Sequence, residues 1–189
     1  MKEDIIALPN PRLRERSKKV SFITDDVKKL IDQMQGATLG WEDSRRHELG
    51  VALAAVQIDK LQRVVIIRDN FEDRKNRKFA VFINPEITKY EGEVSEDFEG
   101  CLSIANIYGK VPRHEKVRIK AMDENGKLVR LKAEGFLARV FQHEIDHTNG
   151  ILFIDHIKDN PAAFYKLDDE GQLQKLNYEK DVKKNSILW

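Results

Sequence analysis

The sequence predicts an α+β fold in which antiparallel strands pack around one central helix. Three observations carry that prediction. The runs at 63–68 (RVVIIR) and 79–84 (FAVFIN) are β-branched and aromatic, bounded by polar residues and Pro85. Lys116–Met122 and Lys127–Ala133 alternate on either side of Asp123-Glu-Asn-Gly126, an Asn-Gly turn that marks a hairpin. From Gly135, Phe136, Leu137, Val140, Phe141 and Ile145 recur with a helical period, and Asn149-Gly150 supplies the stop. Strands in succession, then a helix, point to α+β rather than to alternating βαβ units.

The remaining elements follow in order. Pro9, Asn10 and Pro11 give an extended or turning start. Thr24 reads as an N-cap, with Asp25 and Asp26 where a helix dipole favours negative charge. Val27, Leu30, Ile31 and Met34 then form one apolar stripe of an amphipathic helix. From Gly36 to Glu48 that period is lost, which predicts an exposed loop whose Trp41 packs locally or else caps a cleft. Late in the chain, Leu167–Leu173 encloses Asp168-Asp-Glu-Gly171 and suggests a second hairpin. The expected organisation is a single domain over residues 1–178 and a charged, frayed tail over 179–189.

Composition narrows the function. With 33 basic and 32 acidic residues there is no cationic excess for a DNA-binding footprint. No apolar run is long enough for a membrane span. A single cysteine excludes an internal disulfide, and the first ten residues lack a signal or transit pattern. The expected setting is cytoplasmic.

Chemistry concentrates in His143-Glu-Ile-Asp-His147. Two histidines four apart lie on one helical face, one turn from each other, so both imidazoles can reach one metal ion. Glu144 lies beside them, where it can take a proton from an attacking water. A catalytic metal needs a third protein ligand. The candidates are Cys101, in Glu99-Gly-Cys-Leu-Ser103, and His156 downstream, which follows the helix stop closely. Gly100 permits close backbone approach, and Glu99 and Ser103 supply polar groups to support a ligand. A third segment, GVALAAVQ at 50–57, is rich in small residues and ends in the amide of Gln57.

Taken together, GVALAAVQ, EGCLS and QHEIDH resemble the three ordered motifs of the peptide deformylase family, and the likeness runs from about Ile5 to Ile157. The resemblance implies that Cys101, His143 and His147 bind one divalent metal ion, Fe²⁺ in the first place, with Zn²⁺, Ni²⁺ or Co²⁺ as other occupants. It implies removal of the formyl group from the formylmethionine that begins new polypeptides, releasing formate. Glu144 would act as the general acid and base. The Gln57 amide and the Leu102 backbone N–H would hold the oxyanion. Val51, Phe136 and Val140 would line the methionine pocket, and the N-formylmethionyl peptide would run along Gly50–Ala52 and Glu99–Gly100 like an added strand. The ribosome is a further partner such an activity implies, although Lys175, Lys180, Lys183 and Lys184 are offset by Glu179 and Asp181.

The chain departs from the family pattern at Ala52, which replaces a motif glycine and whose methyl is expected to narrow the cleft. Ala105 stands where proline is frequent, and Thr148 where leucine is. The 36–48 segment also exceeds the usual connection. The rival readings are a zincin-like peptidase using His156, and an inactive paralogue that only binds peptides.

Overall fold

A computed structural model describes residues 4–45 and 47–182. Helix α1 spans Asp25–Asp43, and the Thr24 side chain accepts the Val27 amide at its start. The expected stripe of Val27, Leu30, Ile31 and Met34 is buried. The helix does not end at Gly36, which corrects the expected exposed loop. Two further turns form because Ala37, Thr38 and Glu42 extend the buried face at helical spacing. The signal was hidden because two of those residues are polar. Thr38 satisfies its hydroxyl on the Met34 carbonyl at 2.9 Å.

Glu42 ends the stripe with a buried charge, 2% exposed, paired with the equally buried Arg68. The same pair grips Gly50. Its amide donates to Glu42 Oε2 at 3.0 Å, and its carbonyl accepts from Arg68 Nε at 3.1 Å. Only glycine fits there, since a Cβ would sit 2.6 Å from Thr38 Cγ2. The helix end therefore places the first motif. Glu42→Ala strands the Arg68 guanidinium in the core and is expected to cost about 3–5 kcal/mol. Urea unfolding measures this, and a loss under about 1 kcal/mol would reject the clamp.

Among the described residues, seven strands form one sheet: β1 (Ala52–Ala54), β2 (Val64–Arg68), β3 (Phe79–Cys101), β4 (Ile104–Met122), β5 (Leu128–Glu134), β6 (Phe164–Leu167) and β7 (Leu173–Lys175). Their order is β1-β2-β3-β4-β6-β7, with β5 also on β4, and every pair is antiparallel. All of β2 is buried because both faces are covered. Val64 and Ile66 pack into the cluster with α1, while Val65 and Ile67 pack into the cluster with helix α2 (Gly135–Thr148). That explains a continuous apolar run in place of alternation.

The strand expected at 79–84 is the first part of a much longer β3. Pro85 passes because the ladder shifts register there. Asn84 adopts positive φ and bonds both the amide and the carbonyl of Val20 at 2.8 Å. The hairpin at Asp123–Gly126 forms as expected, with Asp123 Oδ1 accepting the amides of Asn125 and Lys127 at 2.9 Å.

The second hairpin also forms, with Leu167 opposite Leu173. Beyond it, a short helical turn over Tyr178–Val182 seats Val182, fully buried, in the cluster of Leu13, Ile107 and Phe164. The boundary expected at 178 is therefore moved to at least 182, because Val182 anchors that turn. The rest of the expected tail, 183–189, lies outside the described residues.

Candidate metal centre and active site

Helix α2 is buried beyond its first turn, with Ala138 to Ile145 all in the interior. It lies against β1, β2, β4 and β5 in a cluster that includes Ala52, Val65, Val117, Ala133 and Phe141. Four ionisable residues are thereby carried into the interior: Arg139, His143, Glu144 and His147. The two imidazoles meet edge to face one turn apart, with ring centroids 4.9 Å from each other. Cys101 meets them at the end of β3. A register shift between Gly100 and Cys101 breaks the ladder there, and such bulges re-aim a side chain.

The Cys101 Sγ lies 3.2 Å from His147 Nε2. One donor atom from each of Cys101, His143 and His147 falls within 4.8 Å of the others. A thiol and two imidazoles suit a divalent metal of borderline softness, and three protein ligands leave a position open for chemistry. Of the two rival third ligands, the cluster contains Cys101. His156 instead places Nε2 2.7 Å from Asp146 Oδ2, in an ion-pair group alongside Arg113.

The surroundings of the donors fit a metal as well. Glu99 takes His143 Nδ1 at 2.9 Å, which orients that ring and leaves Nε2 for the cluster. Arg113 binds both Glu99 oxygens, at 2.9 and 3.1 Å, and Arg139 Nη1 adds a third contact at 2.9 Å. Burial opposes the Glu99 charge, but the bonds from His143 and Arg113 outweigh it and hold the carboxyl well below the usual range. Burial, reinforced by the neighbouring His143, keeps His147 neutral, as a ligand must be.

Glu144 is different in kind. Its Oε2 is buried and finds no hydrogen-bond partner among the described residues. Burial pushes its carboxyl up to about 7. A carboxyl poised near neutrality beside a ligand cluster is suited to exchanging a proton.

Gln57 is 1% exposed and fixed at both ends of its amide. Oε1 accepts the Ala54 amide at 2.9 Å, while Nε2 reaches Ser103 Oγ at 3.2 Å and Cys101 Sγ at 3.6 Å. The chain near the N-terminus braces this corner. The Ile6 amide bonds the Gln57 carbonyl at 2.8 Å, and the Leu8 amide bonds the Ser103 carbonyl at 3.0 Å.

One cavity of about 420 Å³ opens over the cluster. Its lining contains every site residue expected from the sequence except two, His147 and Gly50; Gly50 is seated against α1 by the clamp described above. Val51, Ala52, Phe136 and Val140 line one part, and Glu99, Gly100, Leu102 and Gln57 another. Ala52 is 4% exposed, so its methyl is shared between the core cluster and the cavity wall. Trp41, read as packing locally or capping the cleft, packs under the Arg45 guanidinium and also lines the cavity.

The polypeptide deformylase family pattern matches residues 2–162 of this sequence. The chain belongs to that family. The peptide deformylase of Thermomicrobium roseum is 40% identical over 171 residues, covering 89% of this chain and 93% of that protein. Peptide deformylase 1 of Pseudomonas syringae pv. tomato is 42% identical over 154 residues, covering 82% and 86%. Among solved structures, a peptide deformylase from Synechococcus elongatus in complex with actinonin superposes with a TM-score of 0.72 at 37% identity, covering 81% of this chain and 77% of that one. The Thermotoga maritima peptide deformylase gives 0.70 at 35% identity, covering 80% and 95%.

Within this family site, sequence reasoning overlooked four charged residues: Glu42, Arg68, Arg113 and Arg139. A signal existed for two. Arg113 lies two residues after Val111 on an alternating strand, so it faces inward, and Arg139 lies one helical turn before His143 on the same face.

Proposed function

We infer that the chain is a metal-dependent hydrolase that removes the formyl group from N-terminal formylmethionine of new polypeptides, releasing formate and a free amine. The observation that carries this reading is the meeting of Cys101, His143 and His147 with an unpartnered, buried Glu144 at one cavity. Cys101, His143 and His147 would hold the metal, which when bound supplies Lewis acidity and an easily deprotonated water.

This chain's own residues do the rest. Glu144 takes a proton from the attacking water. As the carbon–nitrogen bond breaks, it returns that proton to the departing amine. Negative charge building on the formyl oxygen is met by the Gln57 side-chain N–H and the Leu102 backbone N–H. Each such donor is worth about 10²–10³ in kcat where water is excluded. Val51, Phe136 and Val140 receive the methionine side chain, and Val51–Ala52 with Glu99–Gly100 hold the peptide in extended form, while Gly50, expected to join them, has its amide and carbonyl spent on Glu42 and Arg68 and only seats that segment.

The proposed metal in the cell is Fe²⁺, with Zn²⁺, Ni²⁺ or Co²⁺ able to occupy the same donors. A thiolate ligand is open to oxidation, which supports a reducing, cytoplasmic setting. Substrates of this kind emerge from the ribosome, so proximity to it belongs to the proposal.

Formate release from formyl-Met-Ala-Ser by protein purified without oxygen tests the activity. Cys101→Ser is expected to weaken metal binding by more than the 10–100-fold typical of an outer-shell partner, whereas His156→Ala leaves it within that range or better. Retained affinity in Cys101→Ser with loss in His156→Ala would favour the zincin-like alternative. Full metal loading without formate release would favour the inactive paralogue.

A further inference from the structure

Charge over the whole chain is nearly balanced, but on the sheet it is sorted by strand register. Lys89 on β3 faces Arg118 on β4, which faces Lys132 on β5. One row along, Glu86 faces Lys120, and Lys120 faces Arg130. These rows stand on the outer side of the sheet, because the alternate residues Val117 and Ile119 pack into the α2 cluster. Lys89, Arg118, Lys120, Arg130 and Lys132 are all exposed.

The carboxylates nearby are already engaged. Lys89 Nζ and Arg118 Nε share Glu91, at 3.1 and 2.7 Å. Glu134 takes Lys132 at 2.8 Å and Lys116 at 3.5 Å, and Glu86 takes Lys19 at 2.6 Å. Among the described residues, Lys120 and Arg130 form no ion pair, although they face each other. Like charges directly opposite on neighbouring strands repel, so Arg118 with Lys132 and Lys120 with Arg130 both cost the fold stability. A hollow of about 550 Å³ opens between these four side chains.

We propose that this outer face of β3, β4 and β5 docks duplex RNA, held through its phosphates by Arg118, Lys120, Arg130 and Lys132. The four cations repeat in two directions, about 5 Å across the strands and about 7 Å along them. Such an array matches a repeating anion better than one small molecule, and a polyanion removes the repulsion between the opposed pairs. Arginine adds a planar fork that fits phosphate. No aromatic side chain stands in either row, so the bases of a single strand have no stacking platform. Three strands span about 10 Å before their side chains are added, too wide to enter the B-DNA major groove of about 12 Å. The wide, shallow minor groove of A-form RNA instead presents its phosphates and 2′-hydroxyls to a flat face. The proposal does not depend on the deformylase reading, because this face lies across the sheet from α2 and its histidines.

The test is the fluorescence anisotropy of a labelled RNA duplex of about 20 base pairs, titrated with the metal-loaded full chain. With four phosphate contacts, binding is expected to weaken about 100-fold between roughly 50 and 200 mM salt. Lys120→Glu with Arg130→Glu should weaken it by at least about tenfold at the lower salt. Formate release from formyl-Met-Ala-Ser and the urea midpoint should not fall in that variant, since neither residue holds an ion pair or lines the metal cavity. Lys120→Arg with Arg130→Lys keeps both charges and should bind within about threefold of the parent. Lys28→Glu with Lys29→Glu makes the same change in net charge on exposed positions of α1, and should also bind within about threefold. No binding at the lower salt would overturn the proposal, as would a loss from the α1 variant equal to that from the sheet variant. Equal affinity for a DNA duplex of the same sequence would overturn it too. Displacement of the RNA by phosphatidylserine vesicles would reassign the face to an anionic membrane.

Discussion

Glu144→Gln is expected to lower kcat for deformylation by about 10²–10⁴-fold, with metal content equal to that of the parent. The substitution keeps the volume and one hydrogen-bonding oxygen but cannot carry a proton. It isolates proton transfer because it keeps the packing of the buried side chain and breaks no hydrogen bond at Oε2, which bonds nothing among the described residues. Burial that raises its carboxyl to about 7 makes it able both to accept and to return a proton near neutral pH. Steady-state formate release, read beside metal analysis of the same sample, checks the result. A variant within tenfold of the parent would remove Glu144 from the chemistry. A fall that merely tracks lost metal would assign it to binding.

Glu99→Ala is expected to destabilise the fold by about 3–5 kcal/mol in urea unfolding. Glu99 is the carboxylate on which Arg113, Arg139 and His143 converge, and all four are at least nine-tenths buried. Arg113 would retain Asp146 at 2.5 Å. Arg139 would be left with only backbone carbonyls, those of Val111 and Ser95 at 2.7 and 2.9 Å and of Asp97 at 3.4 Å. His143 would lose the acceptor that orients its ring, so metal affinity should fall about 10–100-fold as well. Competition with a chromogenic chelator measures that second effect. A loss below about 1 kcal/mol with unchanged affinity would mean the network is dispensable.

These two carboxylates were not equally legible. Glu144 declared itself through the spacing of the histidines around it, because a helix converts four residues of separation into one shared face. Glu99 was recognised only as a polar neighbour of Cys101. Its partners lie 14 and 40 residues away on β4 and α2, and no local pattern marks such a convergence. The loop expected over 36–48 failed for a related reason. Thr38 and Glu42 look like surface residues, yet one bonds its own helix and the other finds a buried arginine 26 residues later. The long β3 was hidden by Pro85 and Gly92, which break strands unless a register shift takes them up, as the shifts at Ile83/Glu86 and Glu91/Val94 do here.

The sequence by itself determined what depends on short-range geometry: an α+β class, the Asn-Gly hairpin, the metal-binding helix and the residues able to ligate, donate and carry protons. It could do so because periodicity and side-chain chemistry are local properties. Only the tertiary structure decided that Cys101 and not His156 joins the histidines, that two buried arginines hold Glu99, and that Glu42 and Arg68 seat Gly50. Each of those outcomes is a meeting of distant residues in a low-dielectric interior. There a charge is stable only beside its partner, and the fold alone says which partner arrives.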